Sequence, residues 1–193
     1  MKHVFQTLLF IVLGVGLQGQ TVIERPYEPN EEFPFGRLNP EAPEQVGDFA
    51  PVIGHWVCKS LARNGDGSWQ DTTLMEWRFK YIMNGTAVQD EVWRDNNYAG
   101  SIRQYQPDSA KWVVSYFSYP SVPYSPGVWH GERNDSTILL FKDQTAPNGM
   151  AGWYRINFEH FSENHFDWRG EWVNKDQTFT YPTWKIGCAR SEE

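Results

Sequence analysis

Two short stretches of the chain carry the side chains best suited to proton transfer. In "GVWHGER", His130 and Glu132 stand two residues apart. On a strand they share one face, and an imidazole beside a carboxylate can act as an acid/base pair. In "HFSENH", His160 and His165 flank a turn, where two imidazoles could share a metal ion. Each group has a plainer alternative as solvated surface. No CxxC or HxxxH spacing accompanies them, so no metal site is assigned. The motifs GxSxG and HExxH and the phosphate loop are absent, GxGxxG occurs only at residues 14–19 inside the apolar N-terminal run, where no strand precedes it and no helix pattern follows, and no cofactor is expected.

A second group consists of polar side chains set among aromatics on alternating segments. From 72 to 83, Met75, Trp77, Phe79 and Tyr81 form one face, and Glu76, Arg78 and Lys80 form the other. That pattern needs only a core and water to explain it. Three segments are less clean. Ser101, Arg103 and Tyr105 alternate with Gly100, Ile102 and Gln104; Trp112, Val114 and Tyr116 with Val113, Ser115 and Phe117; and Trp153, Arg155 and Asn157 with Tyr154, Ile156 and Phe158. Mixed faces of this kind suit a cavity wall, where a few polar groups orient a ligand between rings. The candidate ligand-binding residues are Arg103, Tyr105, Tyr116, Trp129, His130, Arg155 and Trp168. The alternative is that the rings fill an interior with no ligand.

The elements that must position these residues are strands. Between Val52 and Cys188 the chain reads as about ten short alternating segments cut by turn chemistry. They cover residues 52–62, 72–83, 87–94, 98–106, 111–119, 128–133, 137–142, 152–161, 165–173 and 178–188. "RNGDG", Asn84-Gly85, "DNN", "PDSA" and "APNG" punctuate them, and Asn-Gly is a strong hairpin signal. No long window shows a helical period free of Gly or Pro. A meander of hairpins removes its edges most simply by closing. The expected fold is all-β, a single antiparallel up-and-down barrel of about ten strands, preceded by an extended N-terminal arm.

Residues 1–20 read as a signal peptide: a short basic start, an apolar run from Val4 to Leu17, then small residues, with cleavage expected after Gly19 or Gln20. The expected location is secreted or periplasmic, with no membrane insertion after cleavage. Residues 21–46 hold five prolines, six acids and two bases with no apolar period, which makes them an extended arm. This arm either links the barrel to something else or lies across it through Tyr27, Phe33 and Phe35. Residues 47–190 form the barrel domain. The formal charge is −7, which argues against nucleic acid and anionic membranes as partners. The oligomeric state is left open.

The two cysteines, Cys58 and Cys188, sit near the two ends of the domain, and in an oxidising compartment they should pair. If the first and last strands close the barrel, the bond joins its seam. Trp56 shares a face with Cys58, and Trp184 with Cys188.

"FAPVIGHWVCKS" carries a Gly-x-Trp at the head of the first strand. It resembles the calycin superfamily of lipocalin-like and fatty-acid-binding-like barrels, in which such a Trp closes one end. "EWRFKYIMNGTAVQDEVW" and "FDWRGEW" are similar to patterns of the bacterial domain family of unknown function numbered 1579, over roughly residues 48–188. The chain departs from that family in "KDQTFTYPTW", where an acidic turn of the type DGGxTW is usual. The resemblance implies a fold and no activity.

Three functions fit these observations. The first is a lipocalin-like barrel that binds a small apolar or aromatic molecule in its lumen. The second is an enzyme on the same barrel, an isomerase, lyase or hydrolase with a His/Glu or Arg/Tyr acid-base pair. The third is an interaction module whose barrel is filled.

Overall fold

The computed structural model describes residues 23–121 and 127–192. The expected signal segment lies outside the described residues. Ten strands follow in order: β1 (Gly54–Ala62), β2 (Thr73–Ile82), β3 (Ala87–Arg94), β4 (Asn97–Gln106), β5 (Lys111–Tyr119), β6 (Gly127–Asn134), β7 (Thr137–Thr145), β8 (Ala151–Glu159), β9 (His165–Asn174) and β10 (Thr180–Arg190). Each pairs antiparallel with its sequence neighbours, and β1 pairs with β10, so the sheet closes into a barrel. This is the expected fold class.

Alternation decides what faces the lumen. On β2, Met75, Trp77, Phe79 and Tyr81 are buried inside, while Glu76 and Arg78 are exposed outside. At the seam, Cys58 stands directly opposite Cys188, and the two form a disulfide. Both are buried, with Cα atoms 4.1 Å apart.

The base of the barrel is filled. A 3-10 helix, Glu44–Val52, precedes β1 and presents Val46, Phe49 and Val52 to the interior, all buried. Phe49 meets Trp112 edge-on at 4.8 Å and Phe158 at 5.6 Å. The Trp of the Gly-x-Trp stretch belongs to this plug. Trp56 is fully buried, and its Nε1 donates to the Val52 carbonyl at 2.7 Å. Arg190, at the end of β10, lies 4.1 Å over the Trp56 ring and donates to the carbonyls of Ile53 at 3.0 Å, Pro51 at 3.2 Å and Glu163 at 2.6 Å. One guanidinium thus satisfies carbonyls of the helix end and of the β8–β9 turn. Gly54 has φ +135°, and a Cβ there would stand 2.4 Å from Arg190 Nη1. Only glycine meets both conditions, so the Gly of the motif makes room for the arginine.

The described part of the arm folds back on the β2–β3 turn. Tyr27 N donates to Asn84 Oδ1 at 3.2 Å, Asn84 N to Glu28 Oε1 at 2.6 Å, and Tyr81 N to the Phe35 carbonyl at 2.8 Å.

The barrel wall has one irregular stretch. β6 and β7 pair from Asn134↔Thr137 to His130↔Phe141, and no further. Beyond that point, Gly127 to Trp129 pair only with β5, and Lys142 to Thr145 only with β8. The two strands approach closely at Gly131, where a Cβ would lie 1.8 Å from the Leu139 carbonyl oxygen, and then part toward the mouth.

Candidate functional site

The open half of the lumen is a cavity of about 400 Å³. Its walls come from inward positions on β2 to β10. Trp168 meets Trp184 edge-on at 5.4 Å and Trp77 at 6.4 Å, which lines one side with three indoles. Tyr116 and Trp129 face each other at 5.9 Å on the other side. Val92, Val114, Leu140 and Ile156 fill the spaces between the rings. Gly170 occupies an inward position on β9 because a Cβ there would meet the Tyr154 hydroxyl at 2.1 Å. Its absence lets the Tyr154 ring lie against the wall. Burial holds the Tyr154 phenol above its ordinary pKa, with a Thr183 hydrogen bond acting in the opposite direction.

The floor is polar. Asp90 on β3 accepts from Trp77 Nε1 at 2.7 Å, and it also accepts from the Ser101 hydroxyl and Arg103 Nη1 on β4. Asp90 and Arg103 are 4% and 3% exposed, so this ion pair is out of water. The Arg103 guanidinium carbon lies 5.0 Å from the Phe49 ring centroid, 5.3 Å from Phe79 and 5.5 Å from Phe158. These rings belong to the base plug. Arg103 therefore separates the filled half from the open half, with its charge held against Asp90 and against ring faces. Three donors thus converge on one buried carboxylate and fix its position.

At the mouth, Arg94 ends β3 half-buried, 5.7 Å from the Trp184 ring centroid. Trp184 Nε1 is fixed by donation to Ser60 Oγ at 2.8 Å.

Four of the seven residues picked out from sequence line this cavity: Arg103, Tyr116, Trp129 and Trp168. Three do not, and their placement is corrected here. Tyr105 is one turn of the alternation below Arg103, so it lies under the floor, edge-on to Trp112 at 5.6 Å. His130 follows Trp129, and Trp129 points inward, so His130 is exposed on the outer wall. Arg155 lies between the inward Tyr154 and Ile156 and also faces out. There it donates from Nε to Glu171 Oε1 at 2.8 Å, an oxygen shared with Asn157 Nδ2 at 2.9 Å.

The His130/Glu132 pair is separated from any lumen chemistry for the same reason. His130 borders an outer cleft of about 670 Å³ with Phe141 and Trp153. Two ion pairs border that cleft: Glu132 with Lys111 at 2.6 Å, and Asp143 with Lys175. Lys175 Nζ also lies 3.3 Å from the Trp153 ring centroid and covers its face. His160 and His165 share a single carboxylate, Asp167, at 2.7 and 3.2 Å. Among the described residues, no group of three or more His, Cys, Asp and Glu side chains is placed to hold a metal ion.

Sequence reasoning passed over Asp90, Arg94 and Trp184. A signal for Asp90 was present. In "AVQDEVW" it shares its face with Val88 and Val92, and a carboxylate on an apolar face requires buried partners.

No protein-family model matches the chain, and no curated protein matches it. Solved structures do. The crystal structure of Rv2717c from M. tuberculosis is similar at 8% identity and a TM-score of 0.50, over 79% of this chain and 100% of that one. EF1p2_mFAP2b bound to DFHBI overlaps at 13% identity and a TM-score of 0.35, over 76% and 99%. A redesigned β-barrel, b11L5F_LGL, overlaps at 13% identity and a TM-score of 0.31, over 74% and 94%. At 8% identity, the likeness to Rv2717c concerns the barrel fold alone.

Proposed function

We propose that this chain is an exported, calycin-type barrel that binds a small apolar or aromatic molecule in its lumen. The observation that carries the reading is the division of the interior: one half filled by the plug, the other an aromatic-walled cavity of about 400 Å³ over a fixed polar floor. A barrel needing only a core would fill both halves, since interiors pack to crystal density. Indole and phenol walls suit flat rings, and a cavity of this size accepts a molecule of ordinary ligand dimensions. Export is supported by the buried disulfide, which persists in oxidising compartments, together with the basic and apolar start of the sequence.

The test has two readouts. The protein is purified from a host that exports it, and native mass spectrometry is followed by denaturation and identification of any released compound. In parallel, a panel of flat aromatic molecules is titrated against indole fluorescence, since Trp77, Trp129, Trp168 and Trp184 border the cavity. A stoichiometric bound mass or saturable quenching is expected. The absence of both a bound mass and quenching across the panel would overturn the reading. Amino-terminal sequencing of the exported protein should start just after Gly19 or Gln20; an uncleaved terminus would sink the signal-peptide assignment.

A further inference from the structure

We infer that the lumen ligand carries an anionic group and that Arg94 receives it at the mouth. The inference rests on the lumen-binding reading and names the ligand's chemistry.

The argument is one of charge within the cavity. Three side chains that line it are formally charged: Asp90, Arg94 and Arg103. Asp90 and Arg103 are paired with each other in the floor, both out of water. Arg94 is left over. Among the described residues it has no carboxylate partner, and its guanidinium lies 5.7 Å from the Trp184 ring centroid. The cavity therefore carries an unmatched positive charge, inside a chain whose formal charge is −7. Lys142, which borders the outer cleft, also lacks a carboxylate partner among the described residues and lies 4.5 Å from the Trp129 ring centroid. The acid next to it, Asp143, is engaged by Lys175.

An empty mouth lets water solvate Arg94. An apolar occupant displaces that water, and a cation stripped of water without a counter-ion is costly. A neutral aromatic ligand would impose that cost. A ligand with a carboxylate, sulfonate or similar group at the mouth end removes it, and adds a charge-assisted hydrogen bond in a setting of low polarity. A cationic ligand would be repelled. The favoured occupant is thus a flat apolar body pointing toward the Asp90–Arg103 floor, with its anionic group beside Arg94.

Two probes that share a ring system separate this inference from the reading beneath it. 1-Anilinonaphthalene-8-sulfonate is anionic; N-phenyl-1-naphthylamine has the same rings and no sulfonate. Both are titrated by fluorescence against the disulfide-bonded protein, R94Q and A99W. Ala99 lines the cavity, so a tryptophan there obstructs it. Circular dichroism checks that each variant folds. Both probes are expected to bind at one site and to be lost in A99W. The sulfonate should bind about tenfold more tightly or better. R94Q should remove that preference by weakening the sulfonate, with the neutral probe bound at least as tightly as before. If the sulfonate binds no more tightly, if its preference survives R94Q, or if R94Q weakens both probes equally, the anionic-ligand inference is overturned while lumen binding stands. If neither probe binds, or if both bind A99W undiminished, lumen binding itself falls.

Discussion

The two halves of one barrel interior are built from similar residues and used differently. Toward the base, Phe49, Trp56, Phe79, Phe158 and Phe166 close on each other at 4.8 to 6.3 Å, and Arg190 ties the plug to the last strand. Toward the mouth, Trp77, Trp129, Trp168 and Trp184 stand around a space. Composition does not separate the halves, because both are aromatic. What separates them is the plug. The 3-10 helix brings Phe49 into the base, and no described segment enters the mouth in the same way. An aromatic barrel becomes a container where nothing is supplied to fill it.

The comparison can be broken first at the plug. F49A removes a fully buried ring from the filled half and should cost about 3–5 kcal/mol, read as a fall in the denaturant midpoint. A loss under about 1 kcal/mol would mean that the base is no better packed than the mouth. The floor comes next. D90N leaves Arg103 charged and buried without its counter-ion, at an expected cost of about 3–5 kcal/mol; the double variant D90N/R103M should recover much of that. Failure of the double variant to recover would show that the pair contributes more than mutual neutralisation. Opening the seam by C58S/C188S should cost roughly 2–5 kcal/mol with the cavity intact, checked by denaturation with and without reductant.

Smaller effects sharpen the contrast. Among the described residues Arg94 has no carboxylate partner to lose, so R94Q should change stability by under about 0.5 kcal/mol while altering what the mouth accepts. The smallest expected effect concerns Asp48, which accepts from Trp112 Nε1 at 3.0 Å beside the plug. Burial holds its carboxyl above the ordinary pKa, with the Trp112 hydrogen bond and Arg133 acting in the opposite direction. A raised folded-state pKa means that the folded protein holds this proton more tightly than the unfolded chain. The stability so gained is complete below the ordinary carboxylate range and is lost as pH rises through the folded value. D48N, which stays neutral, should melt slightly higher than the parent at pH 7, and the difference should fade in acid. A lower melting point at pH 7 would show that the ionised form is the one the plug prefers.

Much of the fold was legible because strands announce their limits. Lys111–Tyr119 and Ala87–Arg94 match the sequence reading end to end, and the other strands differ at their ends by a few residues at most. The Cys58–Cys188 pairing was legible from the cysteine count and the expected oxidising compartment, and barrel closure says why it lies at the seam. The site was legible only in part, and the reason is phase. On β6 and β8 the apolar and polar residues do not alternate cleanly, so sequence alone does not say which set faces inward. A shift of one residue exchanges Trp129 for His130 and Tyr154 for Arg155. Arg155 was also misread because its partner, Glu171, lies on another strand and neutralises it on the outer wall. Arg190 was passed over because its value comes from carbonyls of Pro51, Ile53 and Glu163, which only the closed chain brings together.

The unpaired stretch between β6 and β7 has a mechanical meaning. Around the base every strand is laced to both neighbours, so the girth there is fixed. Near the mouth the lacing stops at His130↔Phe141, and the ring becomes a cuff with one open edge. Spreading the cuff breaks no ladder hydrogen bond; it separates Lys142 from the face of Trp129. The mouth therefore has fewer ladder bonds holding its circumference than the floor. A wall tied on one side only at its rim and on both sides at its floor is compliant where the cavity opens and stiff where its polar residues stand.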